Sequence, residues 1–154
     1  MNKLRIAIDC DDAAIELKRS IIDYCLHKGY DITDLNQAQS ENVNYPEIAL
    51  NLATKVSNHE YDRGILLCGT GIGMSMVANK VQGAYAGLCH DVYSAERLRK
   101  SNDGNILTMG ARVIGPEHAK YIVAAFLNSE FQEGGSSQKV RKLREIESSQ
   151  FKKK

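Results

Sequence analysis

The stretch LLCGTGIGMSMVANK (residues 66–80) runs from apolar residues, through three alternating glycines, into a segment with helical spacing. The branched apolar residues before it predict a buried strand over residues 63–68, and the residues after the glycines predict a helix over 74–81. A strand that turns through glycines into a helix is the repeating unit of a parallel α/β sheet. The stretch therefore predicts one strand–turn–helix unit with a thiol, Cys68, at the mouth of the turn.

The same alternation of strand and helix recurs along the rest of the chain. Further strands are predicted at residues 4–8, 30–35, 84–89 and 105–110, and helices at 14–28, 46–56, 92–100 and 116–128. Residues 37–44 are polar and predict a loop. We expect a single domain over residues 1–154, with a Rossmann-like α/β fold. It would be a three-layer sandwich in which helices cover both faces of a five-stranded parallel sheet.

An extra helix is predicted at the C-terminus, over residues 136–148, with no strand after it. Val140, Leu143 and Ile146 recur there at helical spacing. Such a helix could fold back on its own domain or lie on a second subunit, and the sequence leaves both arrangements open.

Composition excludes several classes of protein. Among 154 residues, 20 basic side chains nearly balance 19 acidic ones, which argues against a nucleic-acid partner. No apolar run reaches the roughly 18 residues that a membrane-spanning helix needs. The acidic N-terminal segment MNKLRIAIDCDD is unlike a signal peptide, so we expect a cytoplasmic protein. The four cysteines show no C-x-x-C spacing, which favours reduced thiols and no metal site.

The glycine turn leaves backbone amides free to bind an anion or a developing oxyanion. It is not a P-loop, and position 74 is Met where a dinucleotide fingerprint needs Gly and a cysteine phosphatase loop needs Arg. A cysteine at the start of a helix gains acidity, so Cys68 is a candidate reactive group. A small buried hydrophobe is the other interpretation, and position alone leaves both open.

The string CGTGIGMSMVANK closely resembles the active-site loop of the family that contains type B ribose-5-phosphate isomerase and galactose-6-phosphate isomerase. The resemblance covers nearly the whole chain. Other matching segments are IAIDCDD (6–12), NYP (44–46), SNDGNILTMGARVIG (101–115) and EFQEGGSSQKV (130–140). The resemblance implies an enzyme that interconverts aldose and ketose phosphates through a cis-enediol(ate). It also implies that no metal or organic cofactor is needed.

The resemblance implies a role for nine residues. Cys68 would be the base that moves a proton between C1 and C2. The other implied roles are enediolate binding by Thr70 and the amides of Gly69, Gly71 and Gly73; hydroxyl binding by Asp11 and Tyr45; contact with the reacting end by Asn102; and phosphate binding by Arg112. The family is built from dimers in which the neighbouring subunit supplies the Asn and the Arg. We therefore expect a homodimer or homotetramer, with a heteromer as the alternative.

The chain departs from the family at three places. Asp12 stands where the family has a phosphate-binding His, and Ser101 stands where it has the His that opens the sugar ring. Ser136 and Ser137 replace an Arg and a His of the C-terminal phosphate segment. Of the four histidines, only His90, at a strand end, is expected near the site. The reacting centre is therefore kept, whereas the groups that recognise the substrate are changed.

If the chain works alone, two interpretations fit these departures: another group, such as His90 or a bound water, opens the sugar ring, or the substrate has no ring to open. A four-carbon sugar phosphorylated on its terminal oxygen cannot close a furanose ring and would need no ring-opening His. Alternatively, the chain is the cysteine-bearing subunit of a heteromeric galactose-6-phosphate-type isomerase, whose paralogous partner supplies the missing groups. A binding module without activity is a third possibility, and the retained Cys68 and Thr70 argue against it.

Overall fold

The structure, a computed structural model, describes residues 3–36 and 43–152. Its strands are Arg5–Cys10 (β1), Asp31–Asp34 (β2), Arg63–Cys68 (β3), Ala86–Leu88 (β4) and Ile106–Gly110 (β5). Its helices are Ile15–His27 (α1), Tyr45–Ser57 (α2), Ile72–Ala78 (α3), Val92–Lys100 (α4), Pro116–Leu127 (α5) and Ser137–Phe151 (α6). The predicted loop at 37–44 falls largely outside the described residues.

The five strands form one sheet in the order β2-β1-β3-β5-β4, and every neighbouring pair is parallel. One face packs on α1, α4 and α5, and the other packs on α2 and α3. This arrangement confirms the Rossmann-like α/β fold. The chain reverses its winding between β1 and β3, and the crevice beyond their carboxyl ends is where such sheets bind ligands.

The central strand β3 explains why the sheet is buried on both sides. All six residues of RGILLC are buried, as expected for a parallel strand covered by helices on both faces. Gly64 lets α2 come close to the sheet, because a β-carbon there would lie 2.5 Å from a methyl of Leu52. The position of β3 in the middle of the sheet fixes the place of the turn that follows it.

Two predicted boundaries were wrong around this turn. Helix α3 covers Ile72–Ala78 rather than residues 74–81, because the left-handed Gly71 (φ 76°) lets the helix begin directly after it. Strand β4 has three residues rather than six. The side chain of Asn79 bonds the backbone of Ala86 from both its oxygen and its nitrogen (2.9 Å each), which ties the end of α3 to the start of β4.

Helix α6 is longer than predicted and contacts its own chain through polar groups. The Glu147 carboxylate accepts hydrogen bonds from the Tyr85 hydroxyl (2.7 Å) and the Gly83 amide (3.1 Å). Leu143 and Ile146 stay 45% and 53% exposed, so most of the predicted apolar row is accessible. Val140 alone of that row is buried. Contact of α6 with a partner subunit stays a prediction.

None of the described helices is both long enough and apolar enough to cross a membrane.

Candidate active site

The carboxyl ends of β1 and β3 meet at the point where the winding of the sheet reverses. Cys68 is the last residue of β3, and Asp11 follows β1 directly. The Asp11 amide donates to the Leu67 carbonyl (3.2 Å), which joins the two strand ends. The Asp11 carboxylate accepts from the Ala13 amide (3.0 Å) and so begins a short 3₁₀ turn ahead of α1. The structure therefore brings two of the predicted site residues to one crevice.

The sulfur of Cys68 is held inside the glycine turn. The Gly71 amide donates to Sγ across 3.0 Å, and Cys68 is 5% exposed. Gly71 has a positive φ of 76°, a conformation that favours glycine at this point of the turn. A β-carbon on Gly71 would also lie 2.7 Å from the Met109 carbonyl carbon. The Gly71 amide is thus engaged by the thiol, and its implied role at the enediolate stays a prediction.

The end of β5 closes over the turn. The Ala111 amide donates to the Cys68 carbonyl (2.8 Å), and the Arg112 amide donates to the Gly69 carbonyl (3.0 Å). Gly110 packs backbone against backbone, since a β-carbon there would lie 2.6 Å from the Cα of Thr70. The Thr70 side chain is exposed, and its hydroxyl oxygen accepts from the Ile72 amide (3.3 Å) at the start of α3.

Arg112 lies over the turn of its own chain. Its Nη1 would be 3.1 Å from a β-carbon on Gly69, and its charge acts on the Asp11 carboxyl. Burial raises the pKa of Asp11, the neighbouring Asp12 raises it further, and Arg112 opposes both. The expectation that Arg112 reaches the site from a neighbouring subunit is wrong for this structure. The physical reason is that Arg112 follows the carboxyl end of β5, which pairs with β3.

Tyr45 also lies at the turn. Its ring carbon Cε2 is 2.5 Å from the place of a β-carbon on Gly73, so only glycine allows this approach. Tyr45 is the first residue of α2, which begins after Asn44, whose amide donates to Glu47 (3.2 Å). The side chain is 40% exposed. Tyr45, Asp11, Arg112 and Thr70 thus surround the cysteine from four different segments.

Asn102 is the predicted site residue that the structure does not bring to the turn. Helix α4 starts after the carboxyl end of β4 and runs back across the sheet. Its nine residues give it a length of about 13 Å. Asn102 follows α4 and therefore lies at the amino edge of the sheet, opposite Cys68. It lines a cavity of about 300 Å³ with residues of the α4 end and of α6, namely Ser101, Ser136, Lys139, Val140 and Leu143.

The other three cysteines are buried thiols. Burial raises the pKa of Cys10 and Cys25 to about 12 and that of Cys89 to about 11. All four cysteines are free. Among residues 3–36 and 43–152, no group of three or more His, Cys, Asp or Glu side chains is arranged to hold a metal ion.

Comparison with known proteins identifies the family of the chain that carries this crevice. Residues 6–143 match the family model described as Ribose/Galactose Isomerase. The chain belongs to the ribose/galactose isomerase family. It is a sugar-phosphate isomerase that interconverts an aldose and a ketose.

Two relatives in the ribose/galactose isomerase family are named after different substrates. The chain is 53% identical to the D-erythrulose-4-phosphate isomerase of Pectobacterium atrosepticum, over 91% of this chain and 93% of the relative. It is 49% identical to the Ribose-5-P isomerase B of Listeria innocua, over 94% and 97%. Among solved structures, the ribose-5-phosphate isomerase B of Clostridium thermocellum superposes with a TM-score of 0.90 at 41% identity, covering 96% of this chain and 99% of that one.

This member of the ribose/galactose isomerase family has a buried ion cluster near the end of β1 that the sequence did not predict. The Lys18 ammonium lies 2.8 Å from Asp34 and 3.6 Å from Asp9, and the side chains of Lys18 and Asp9 are 6% and 0% exposed. The Asp9 carboxylate also accepts from the Cys10 amide (2.8 Å). The available signals were a carboxylate inside the apolar strand RIAIDC and a lysine on the apolar face of α1. The cluster fixes the end of β1, from which Asp11 emerges.

Proposed function

We propose that the chain isomerises its sugar phosphate through a cis-enediolate, with Cys68 as the base. The thiolate takes the proton from C2 of the aldose, leaving an enediolate with negative charge on the C1 oxygen. The proton on O2 then passes to O1, which shifts the negative charge to the C2 oxygen. The resulting thiol returns its proton to C1, and the C2 carbonyl of the ketose forms. The observation that carries this proposal is the position of the Cys68 sulfur at the end of β3. The Gly71 amide lies 3.0 Å from this sulfur and can donate a hydrogen bond to the thiolate.

We assign the other groups of the crevice by their chemistry. Thr70 and the amides of Gly69 and Gly73 are hydrogen-bond donors for the enediolate oxygens. Asp11 and Tyr45 bind sugar hydroxyls, and Arg112 binds the phosphate, since a guanidinium matches its oxygens. The contact of Arg112 with Gly69 supports this assignment, because it keeps the cation within reach of a sugar bound at the turn.

We propose a four-carbon sugar phosphate as the substrate. Ser101 and Ser136 line the cavity that holds Asn102, in place of the ring-opening His and the phosphate-binding Arg that the family resemblance implies. A tetrose phosphorylated on O4 cannot form a furanose ring, so these losses do not impair its isomerisation. The 53% identity to an enzyme named D-erythrulose-4-phosphate isomerase supports the same substrate class.

We further propose that each active site is shared by two copies of the chain. Cys68 lies at the carboxyl edge of the sheet and Asn102 at its amino edge, with the roughly 13 Å length of α4 between the two edges, so we infer that one small substrate does not touch both within a chain. A second copy that presents its Asn102 cavity to the Cys68 crevice would complete both sites at once, as a two-fold dimer allows. The exposed Leu143 and Ile146 beside that cavity suit such an interface.

The experiment is a substrate screen of the purified homomer. D-erythrulose 4-phosphate, D-erythrose 4-phosphate, ribose 5-phosphate and galactose 6-phosphate are compared by kcat/KM for the wild type, Cys68→Ala, Cys68→Ser and the control Cys25→Ala. We expect turnover of tetrose phosphates, its loss in Cys68→Ala, at most a trace in Cys68→Ser, and its retention in Cys25→Ala.

Other results would redirect the proposal. Normal turnover by Cys68→Ala would remove the cysteine from the mechanism. A strong preference of the wild-type homomer for ribose 5-phosphate would reject the tetrose assignment. Activity only after addition of a co-purifying paralogue would establish the heteromeric galactose-6-phosphate-type enzyme instead.

A further inference from the structure

His90 completes the hydrogen bonding of the sheet next to the active site. Strand β4 ends at Leu88, and the Cys89 amide makes a last ladder bond to the Thr108 carbonyl (3.1 Å). The next amide of β5 that faces β4 belongs to Gly110, and it donates a hydrogen bond to Nε2 of His90 (2.9 Å). The imidazole thus takes the place of the carbonyl that a longer β4 would have offered.

The backbone that His90 holds is the one that closes over Cys68. On the other side of β5, Ala111 and Arg112 donate to the carbonyls of Cys68 and Gly69 (2.8 and 3.0 Å). Gly110 itself touches the backbone of Thr70. The segment from Gly110 to Arg112 is therefore clamped between the imidazole and the glycine turn.

Only one protonation state of His90 makes this bond. Nε2 accepts a hydrogen, so the ring is neutral and its proton is on Nδ1. In the imidazolium both nitrogens carry hydrogens, and Nε2–H would face the Gly110 N–H. Two titratable groups act on the ring, Asp91 at the start of α4 and His118 on α5. Burial lowers the pKa of His90, Asp91 raises it and His118 lowers it.

We propose that His90 is a positioning residue for the isomerase reaction: its neutral imidazole anchors the end of β5 and thereby holds Arg112 over the Cys68 turn. Protonation releases Gly110 and loosens this arrangement. The inference rests on the proposed function, in which Arg112 binds the phosphate. It assigns no proton transfer to His90, because the ring nitrogen that faces β5 is occupied by an amide.

The pH dependence has a definite sign. The folded protein disfavours the imidazolium, so the unfolded chain binds more protons between the two pKa values of His90. The contribution of His90 to stability is present above its ordinary pKa and is lost as the pH falls from that value through the lowered pKa of the folded protein, where the active geometry is lost as well.

The test compares His90→Gln and His90→Leu with the wild type. Glutamine reaches as far as Nε2 with an oxygen that accepts but does not titrate in this range, whereas leucine fills the space without an acceptor. His27→Gln, at an exposed position of α1, is the matched control. We expect His90→Leu to lose about 3- to 10-fold in kcat/KM, the size of one hydrogen bond, and His90→Gln to retain most of it. The acid limb of the wild-type pH profile should lose the part that follows His90 in His90→Gln and keep it in His27→Gln.

A second readout keeps the inference separate from the proposed function. In amide NMR spectra, the Gly110 N–H resonance should titrate with His90 in the wild type and not in His90→Gln. If no sugar phosphate is turned over but the Gly110 resonance titrates, the function fails and the anchoring stands. Wild-type kcat/KM in His90→Leu, an unchanged acid limb in His90→Gln, or a Gly110 resonance that does not titrate would each overturn the positioning role. If His90→Leu does not fold, the His90→Gln profile decides the question.

Discussion

The ring of Tyr45 occupies the space that a β-carbon on Gly73 would fill, with Cε2 2.5 Å from that position. Real β-carbons essentially never approach a non-bonded heavy atom within 3.0 Å. The Tyr45 ring can therefore occupy this place only because residue 73 is glycine. Two segments that are distant in sequence, the start of α2 and the start of α3, depend on each other here.

We predict that Gly73→Ala displaces the Tyr45 ring and lowers kcat/KM by at least about 10-fold, because a misplaced binding group costs more than a lost contact. The main effect should be on KM, since Tyr45 is assigned to substrate binding. Steady-state kinetics measure it, with Gly115→Ala as control because nothing lies within 4 Å of a β-carbon there. Tyr45→Phe separates loss of the hydroxyl from displacement of the ring. Unchanged kinetics in Gly73→Ala would show that the ring is not needed in this place.

The four thiols should differ in reactivity toward an alkylating reagent. At pH 8, we expect Cys10, Cys25 and Cys89 to stay protonated and unlabelled, because burial raises their pKa values to between about 11 and about 12. Labelling by iodoacetamide should fall on Cys68 and should be slowed by a bound sugar phosphate. Peptide mass spectrometry measures the sites. Equal labelling of Cys25 and Cys68 in the folded protein would contradict the assignment.

The fold was predictable because strand and helix patterns alternate along the whole chain, and a buried strand such as β3, apolar from Ile65 to Cys68, has few alternatives. The bond from the Gly71 amide to Cys68 was not predictable, since it depends on the exact backbone path of the turn between the two residues. The place of Arg112 could have been inferred. It comes two residues after β5, and the carboxyl ends of parallel strands share one edge, so it had to lie on the side of Cys68.

A mixing experiment tests whether the site is shared between two chains. Cys68→Ala and Asn102→Ala homomers should each be inactive or nearly so. After mixing and subunit exchange, half of the dimers are mixed, and each mixed dimer has one intact site. We therefore expect about a quarter of wild-type activity.

The matched control for mixing pairs Cys68→Ala with Arg112→Ala. Arg112 lies against Gly69 of its own chain, so no exchange of subunits can rebuild a site with both wild-type groups. No activity should return. Recovery of activity in this control would show that Arg112 acts in the site of the other chain. No recovery in the Asn102→Ala mixture would show that Asn102 does not complete the site of the other chain.

The buried ammonium of Lys18 should be important for stability. Lys18→Met leaves the carboxylates of Asp9 and Asp34 next to an apolar group, and breaking such a buried pair costs about 3–5 kcal/mol. Urea unfolding at fixed protein concentration measures the loss. Lys142→Met is the control, because its pair with Glu145 is exposed and contributes at most about 1 kcal/mol. Equal effects of the two substitutions would show that burial of the cluster is unimportant.

The separation of Cys68 and Asn102 onto opposite edges of the sheet has a consequence for how this enzyme can diverge. The turn after β3 and the cavity between the end of α4 and α6 share no segment of chain. In the proposed shared site, substitutions at Ser101, Ser136 or Lys139 would change which sugar is accepted and would leave the residues proposed to transfer the proton untouched. New substrates would then be acquired at one pole of the subunit, and the proposed proton transfer would stay at the other.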